Sequence, residues 1–221
     1  MPPFAMSLEK NPWFAALPPA LKAALVARSR MLEVAQGQWV YGAGDALDGL
    51  YAVLRGSIHL MVGTVAEEDI LMDIVSAGQV FGQPSQFGGG PRLVTALAGE
   101  DALLLHVPDH TLREIARDHP DVWRSFTTLL YLQLAHALRL AVNMIRLAPK
   151  ARVAARLLFL CGEREGALLR VTQSQLAEMT GLSRKTVNGH LANLGKRGAI
   201  GLSYSGIAIA DVAALRRAAA G

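Results

Sequence analysis

The residues best suited to chemistry form a polar run near the C-terminal end of the chain: Ser183, Arg184, Lys185, Thr186, Asn188 and His190. Arginine and lysine donate hydrogen bonds and carry positive charge, whereas asparagine both donates and accepts. Such side chains bind anionic or acceptor-rich partners without breaking bonds. No Ser/His/Asp set, metal-ligand cluster or pair of carboxylates stands out at a spacing that catalysis requires. The sequence therefore predicts a binding protein and not an enzyme.

Two short helices are predicted to position this polar run. Thr172 and Gln175 have the spacing of a capping box at the start of the first helix, and Gly181 ends it. Ser183 caps a second helix, whose apolar face has residues at i, i+4 and i+7: Val187, Leu191 and Leu194. Two helices joined by a glycine turn are typical of a helix-turn-helix, whose second helix enters the DNA major groove. The alternative is an ordinary helical hairpin with a solvated charged face.

Two short apolar segments at residues 199–203 and 206–210, with a turn at 204–206, predict the wing of a winged helix. A helix-turn-helix followed by a wing indicates a DNA-binding domain more specifically than either feature alone. We expect the following residues to contact DNA: Thr172, Gln173, Ser174, Ser183, Arg184, Lys185, Thr186, Asn188, Gly189 and His190.

The charge is divided unequally along the chain. Residues 148–221 contain 11 Lys+Arg and 4 Asp+Glu, whereas residues 1–147 contain 11 Lys+Arg and 14 Asp+Glu. A positive field around the predicted helix-turn-helix favours phosphate binding, because neutralised phosphates release their counterions. An acidic partner protein could use the same field, so a module whose winged helix binds protein is the alternative function.

The single cysteine, Cys161, excludes a disulfide framework and a four-cysteine metal or iron–sulfur site within one chain. The N-terminus lacks the pattern of a signal peptide, and the most apolar run, Ser125–Leu138, is too short to cross a membrane. A cytoplasmic protein with no membrane partner is therefore expected.

Short strands separated by glycine turns are predicted near residues 31–35, 38–41, 50–54, 57–62, 69–75, 93–98 and 102–107. Many short strands at this spacing indicate a sandwich or barrel. A short helical segment is predicted before the strands, and helices are predicted after Pro108. The expected fold class is α+β, with an N-terminal jelly-roll-like β-roll, a long dimerisation helix and a C-terminal winged helix-turn-helix.

The long helix after Pro120 contains a seam with alternating steps of three and four: Trp123, Phe126, Leu130, Gln133, Ala137, Leu140, Met144 and Leu147. This pattern is typical of a coiled coil, and the polar Gln133 could fix its register. We expect a parallel homodimer, which suits proteins that bind two DNA half-sites one helical turn apart. The alternative is a helix packed only on its own domain.

A β-roll, a long helix and a winged helix in this order resemble the Crp/Fnr family of transcription regulators. The segment LAEMTGLSRKTVNGHL is similar to the helix-turn-helix signature of that family, and GQVFGQPSQFGGGPRLVT is similar to the phosphate-binding cassette of cyclic-nucleotide domains. The resemblance implies a homodimeric, sequence-specific regulator with an effector roll (residues 1–118), a dimerisation helix (119–147) and a DNA-binding domain (148–221). It also implies a small effector as a partner and, for an activator, RNA polymerase.

Carried over residue by residue, the resemblance places the effector at Phe81, Gly82, Gln83, Pro84, Ser85, Arg92, Leu93, Ala137 and Leu138. Arg92 would neutralise a phosphodiester. However, Gln83 replaces the glutamate that accepts from the ribose, Pro84 removes a backbone N–H, and Leu93, Ala137 and Leu138 replace smaller or hydroxyl-bearing residues. A pocket that does not bind cyclic AMP by the usual contacts is expected. The alternative role of Arg92 is an ion pair with an acidic residue of the roll.

Other effectors of the family require other residues in the sequence. An iron–sulfur sensor needs several N-terminal cysteines, and none precedes Cys161. The chain's histidines form no pattern that predicts haem. In the recognition helix, Lys185 stands where the family commonly has glutamate, so we expect an operator that differs from the family consensus.

Overall fold

The computed structural model describes residues 3–64, 68–83 and 90–221. The chain divides into two compact units, Met1–Gln133 and Leu134–Gly221. The predicted residues Pro84 and Ser85 lie outside the described residues, and the side chain of Gln83 is likewise not described.

The first unit opens with a 3₁₀ helix, Pro3–Lys10, followed by two short helices, α1 (Pro12–Ala15) and α2 (Pro19–Ala27). Its strands are β1 (Arg30–Val34), β2 (Trp39–Tyr41), β3 (Gly49–Arg55), β4 (Ser57–Gly63), β5 (Asp69–Ser76), β6 (Val80–Gln83), β7 (Thr95–Ala98) and β8 (Ala102–Pro108). Helix α3 (Asp109–Asp118) and the start of α4 (Val122–Arg146) follow. Seven of these strands match the predicted segments, whereas β6 was not predicted.

The strands form two four-stranded antiparallel sheets, with the orders β1-β8-β3-β6 and β2-β7-β4-β5. One core lies between the sheets and includes Val53, Ile58 and Leu104, all of them fully buried. A second core joins the helices to the first sheet, and Trp13 stacks on Phe126 there, with ring centroids 5.7 Å apart. The predicted β-roll is confirmed.

The second unit contains the rest of α4, then α5 (Pro149–Cys161), β9 (Leu168–Leu169), α6 (Gln173–Thr180), α7 (Arg184–Lys196), β10 (Ile200–Ser203), β11 (Gly206–Ile209) and α8 (Val212–Ala220). The three strands form one antiparallel sheet in the order β10-β11-β9. Arg152 of α5 donates to the carbonyl of Leu147 at 3.2 Å and to that of Thr180 at 3.0 Å. This side chain links the C-terminal ends of α4 and α6.

Helix α4 differs from its prediction in two respects. Phe126 is only 1% exposed and belongs to the core of its own unit, so its assignment to a dimer seam is wrong. The helix also runs without a break for 25 residues, which makes it long and apolar enough to cross a membrane by length and composition. These two criteria alone are weak evidence for a span.

Candidate functional site

Local hydrogen bonds set the geometry of the helix-turn-helix. The Thr172 hydroxyl accepts from the Gln175 amide at 3.1 Å, and the Gln175 side chain accepts from the Thr172 amide at 2.8 Å, which completes the predicted capping box. Gly181 ends α6 in the left-handed conformation (φ +62°), a backbone state that suits glycine. Ser183 then caps α7 by accepting from the Thr186 amide at 3.1 Å. The two helices are thus fixed at the turn.

The apolar and polar faces of α7 are separated as predicted. Val187 and Leu191 are fully buried, and Leu194 is nearly so. Most of the predicted contact residues are exposed on these two helices and their caps, namely Thr172, Ser174, Ser183, Arg184, Lys185, Thr186, Asn188 and Gly189. Gln173 and His190 are half-buried. The structure therefore brings the predicted residues together at the N-terminal ends of α6 and α7.

A hydrogen bond that the sequence did not predict joins the two helices. The Gln173 amide nitrogen donates to the Asn188 side-chain oxygen at 3.4 Å. The two residues are 15 positions apart, and neither type has a strong preference for one partner. No local pattern in the sequence could have revealed this contact.

The second candidate site surrounds Arg92, which is almost completely buried in the first unit. Its guanidinium lies 4.1 Å from the centre of the Tyr41 ring and forms an ion pair with Asp48. Asp48 also accepts from the Tyr51 hydroxyl at 2.7 Å. The predicted alternative role of Arg92 as an ion-pair partner is thus present in the structure.

The Arg92 pocket retains one unused donor. Among the described residues, Nε of Arg92 is buried and has no hydrogen-bond partner. Phe81 is buried and stacks on Tyr51, with ring centroids 5.2 Å apart, and Gly82 adopts φ +86° beside Arg92. Arg92 therefore has a buried donor, Nε, without a partner, beside a carboxylate, Asp48, that offsets its positive charge.

Burial shifts the pKa values of three titratable side chains around Arg92. Burial raises the pKa of Tyr41 to about 12, an effect that Arg92 opposes and Asp48 reinforces. Burial and the hydrogen bond to Asp48 raise the pKa of Tyr51. Burial lowers the pKa of His106, which stacks on Tyr51, while Asp48 opposes that change. All three side chains are therefore neutral near pH 7.

The other predicted effector residues whose side chains are described are exposed. Leu93 is 77% exposed, and Ala137 and Leu138 are exposed on the part of α4 that belongs to the second unit. Asp48, Tyr41, Tyr51 and His106 were absent from the predicted site. The sequence indicated only that some acidic residue of the roll could pair with Arg92.

Comparisons with known proteins match both parts of the chain. A model of the cyclic nucleotide-binding domain matches residues 31–119, and a model of the Crp-like helix-turn-helix domain matches residues 151–218. The CRP-like cAMP-activated global transcriptional regulator of Mycobacterium tuberculosis is 29% identical over 213 residues, which cover 93% of this chain and 95% of that protein. The cyclic AMP receptor protein of Thermus thermophilus is 29% identical over 187 residues, covering 84% of this chain and 86% of that protein.

The fold is shared with the solved structure of FixK2 from Bradyrhizobium japonicum. The TM-score is 0.77 at 20% identity, over 87% of this chain and 98% of that one. The two matched models together span well over half of the chain. The chain belongs to the Crp/Fnr family and is a DNA-binding transcription regulator.

Proposed function

We propose that the protein is a cytoplasmic, homodimeric regulator that binds a specific operator through α7 and is controlled by a small effector in the β-roll. The observation that carries this proposal is the exposed, cationic start of α7, fixed by caps on a helix whose opposite face is buried. The relatives that it matches along most of their length are transcription regulators, and we infer that the chain catalyses no reaction. As an activator it would also contact RNA polymerase.

In this proposal the three functions lie within the predicted boundaries: residues 1–118 bind the effector, residues 119–147 form the dimer and residues 148–221 bind DNA. The relatives from Mycobacterium tuberculosis and Thermus thermophilus are named for cyclic AMP. In this chain, Asp48 occupies one side of the Arg92 guanidinium and a neutral Gln83 replaces the ribose-binding carboxylate. We therefore infer an effector that Arg92 binds by contacts other than those of cyclic AMP.

The DNA-binding proposal is tested by titrating a duplex obtained from random-site selection at several salt concentrations. We expect the dissociation constant to rise steeply with salt, because bound phosphates release counterions. Arg184→Ala should weaken binding to the selected site by about 1–3 kcal/mol and relax its specificity. Arg217→Ala on α8 removes the same charge from an exposed side chain and is the matched control.

The wing favours one competing function, the binding of a protein. Residues 198–210 contain no charged side chain, and the hairpin exposes Leu202 and Tyr204. Apolar, uncharged surfaces of this kind suit protein contacts better than phosphate contacts. If the folded protein binds no duplex even at low salt, that result would support this alternative and contradict the DNA-binding proposal.

A further inference from the structure

The start of α7 exposes hydrogen-bond donors almost exclusively. Its sequence, RKTVNGHLANLGK, contains no carboxylate. Arg184 and Lys185 only donate, and Gly189 has no side chain. The Thr186 hydroxyl lies 2.8 Å from the Ser183 hydroxyl and is engaged at the N-cap. Among the exposed side chains of residues 184–189, the oxygen of Asn188 is therefore the main acceptor.

Gln173 engages that acceptor. Its amide nitrogen donates to Oδ1 of Asn188 at 3.4 Å, from the first turn of α6. Asn188 itself is exposed, so its NH₂ group remains available on the side of α7 that carries Arg184 and Lys185. An asparagine that reads adenine uses the oxygen and the nitrogen of the same amide at once, accepting from N6 and donating to N7. The bond to Gln173 draws the oxygen toward α6 and uses one of its two lone pairs, which disfavours this bidentate geometry.

We propose that Gln173 is a positioning residue that fixes Asn188 as a donor, so that α7 reads only acceptor edges of bases. In the major groove guanine offers two adjacent acceptors, O6 and N7, and thymine offers O4. Adenine sets its N6 donor beside the N7 acceptor, and N4 of cytosine is a donor, so both bases favour an acceptor from the protein. The DNA ligand is then a half-site whose contacted strand consists of adjacent guanines and thymines. This inference rests on the proposed function, since it concerns the DNA that α7 binds.

Random-site selection followed by guanine N7 methylation interference tests the proposal. The wild-type protein should enrich guanine or thymine at three adjacent positions of one strand, and methylation of those guanines should block binding. Gln173→Ala frees the oxygen of Asn188 and should raise the frequency of adenine at one of these positions several-fold. Gln36→Ala removes the same amide from an exposed position of the first unit, is the matched control and should keep the wild-type preference.

A second variant, Asn188→Asp, places an acceptor at the same position and should shift the preference there toward cytosine. A wild-type motif with cytosine or adenine at the protected positions would overturn the inference and leave DNA binding intact. An unchanged preference in Gln173→Ala would also overturn it. If the folded wild-type protein, checked by circular dichroism, enriches no sequence, then the DNA-binding proposal fails together with the inference.

Discussion

At Arg92, the neighbouring carboxylate of Asp48 opposes the phosphate binding that the family resemblance implies for this arginine. A buried arginine without a counterion would be costly, because its charge has left water. Asp48 supplies that counterion, and Tyr51 orients the carboxylate. A phosphate that approached Arg92 would meet a nearby carboxylate, and like charges oppose its binding.

The charge balance at Arg92 predicts the response to cyclic nucleotides. Isothermal titration calorimetry of the purified protein with cyclic AMP and with cyclic GMP should show no micromolar binding, because Asp48 competes for Arg92 and Gln83 is a weaker acceptor than glutamate. Micromolar binding that disappears in Arg92→Ala would contradict this expectation and identify a cyclic-nucleotide switch. Lys22→Ala, at an exposed ion pair with Glu9, provides the control for loss of a positive charge.

At the scale of elements, the helix-turn-helix could be predicted because its signals are local. Capping partners three residues apart and a glycine at the end of α6 fix the chain within one turn. Strand β6 was missed because its four residues include Gly82 and lie within the segment interpreted as a cassette. The Asp48–Arg92 pair joins residues 44 positions apart, so the sequence could not identify which acidic residue would be the partner.

The turn between α6 and α7 gives a prediction for stability. A Cβ atom at Gly181 would lie 2.7 Å from the terminal methyl of Met144, and φ there is +62°. Gly181→Ala therefore combines backbone strain with a steric contact and should lower the free energy of unfolding by about 1–2 kcal/mol in urea denaturation.

A glycine in the next helix provides the matched comparison. Gly189 lies inside α7, and a Cβ atom built there meets nothing within 4 Å. Gly189→Ala should raise the free energy of unfolding by up to about 1 kcal/mol, since alanine favours an exposed helix interior. Equal effects of the two substitutions would contradict the role assigned to the left-handed turn.

At the scale of the whole molecule, α4 has a second exposed apolar face beside the predicted seam. Tyr131, Leu134, Leu138, Val142 and Ile145 are all exposed and follow steps of three and four. This stripe lies about one residue, or roughly 100°, around the helix from the predicted seam. Periodicity could not distinguish the two faces, because both are apolar. Burial in the first unit removes Phe126 from the predicted seam, whereas Ala137 and Met144 of that seam are exposed.

Substitutions on the two faces of α4 distinguish the exposed stripe from the predicted seam as the dimer interface. We expect the exposed stripe to form the dimer, since apolar side chains spaced in this way bury their area against a like helix. Leu138→Lys would place a charge in that interface and should convert the dimer to monomer in sedimentation velocity experiments. Operator affinity should fall with it, because one half-site contact is lost. Arg139→Glu changes the charge on the polar face of α4 and should leave the dimer intact.

Leu140 tests the predicted seam directly, because it belongs to that seam and is only half-buried. With the exposed stripe at the interface, Leu140→Lys should leave the protein dimeric under conditions in which Leu138→Lys is monomeric. The reverse result, a dimer with Leu138→Lys and a monomer with Leu140→Lys, would restore the original seam from Leu130 onward. It would also show that the exposed apolar stripe on α4 does not form the dimer.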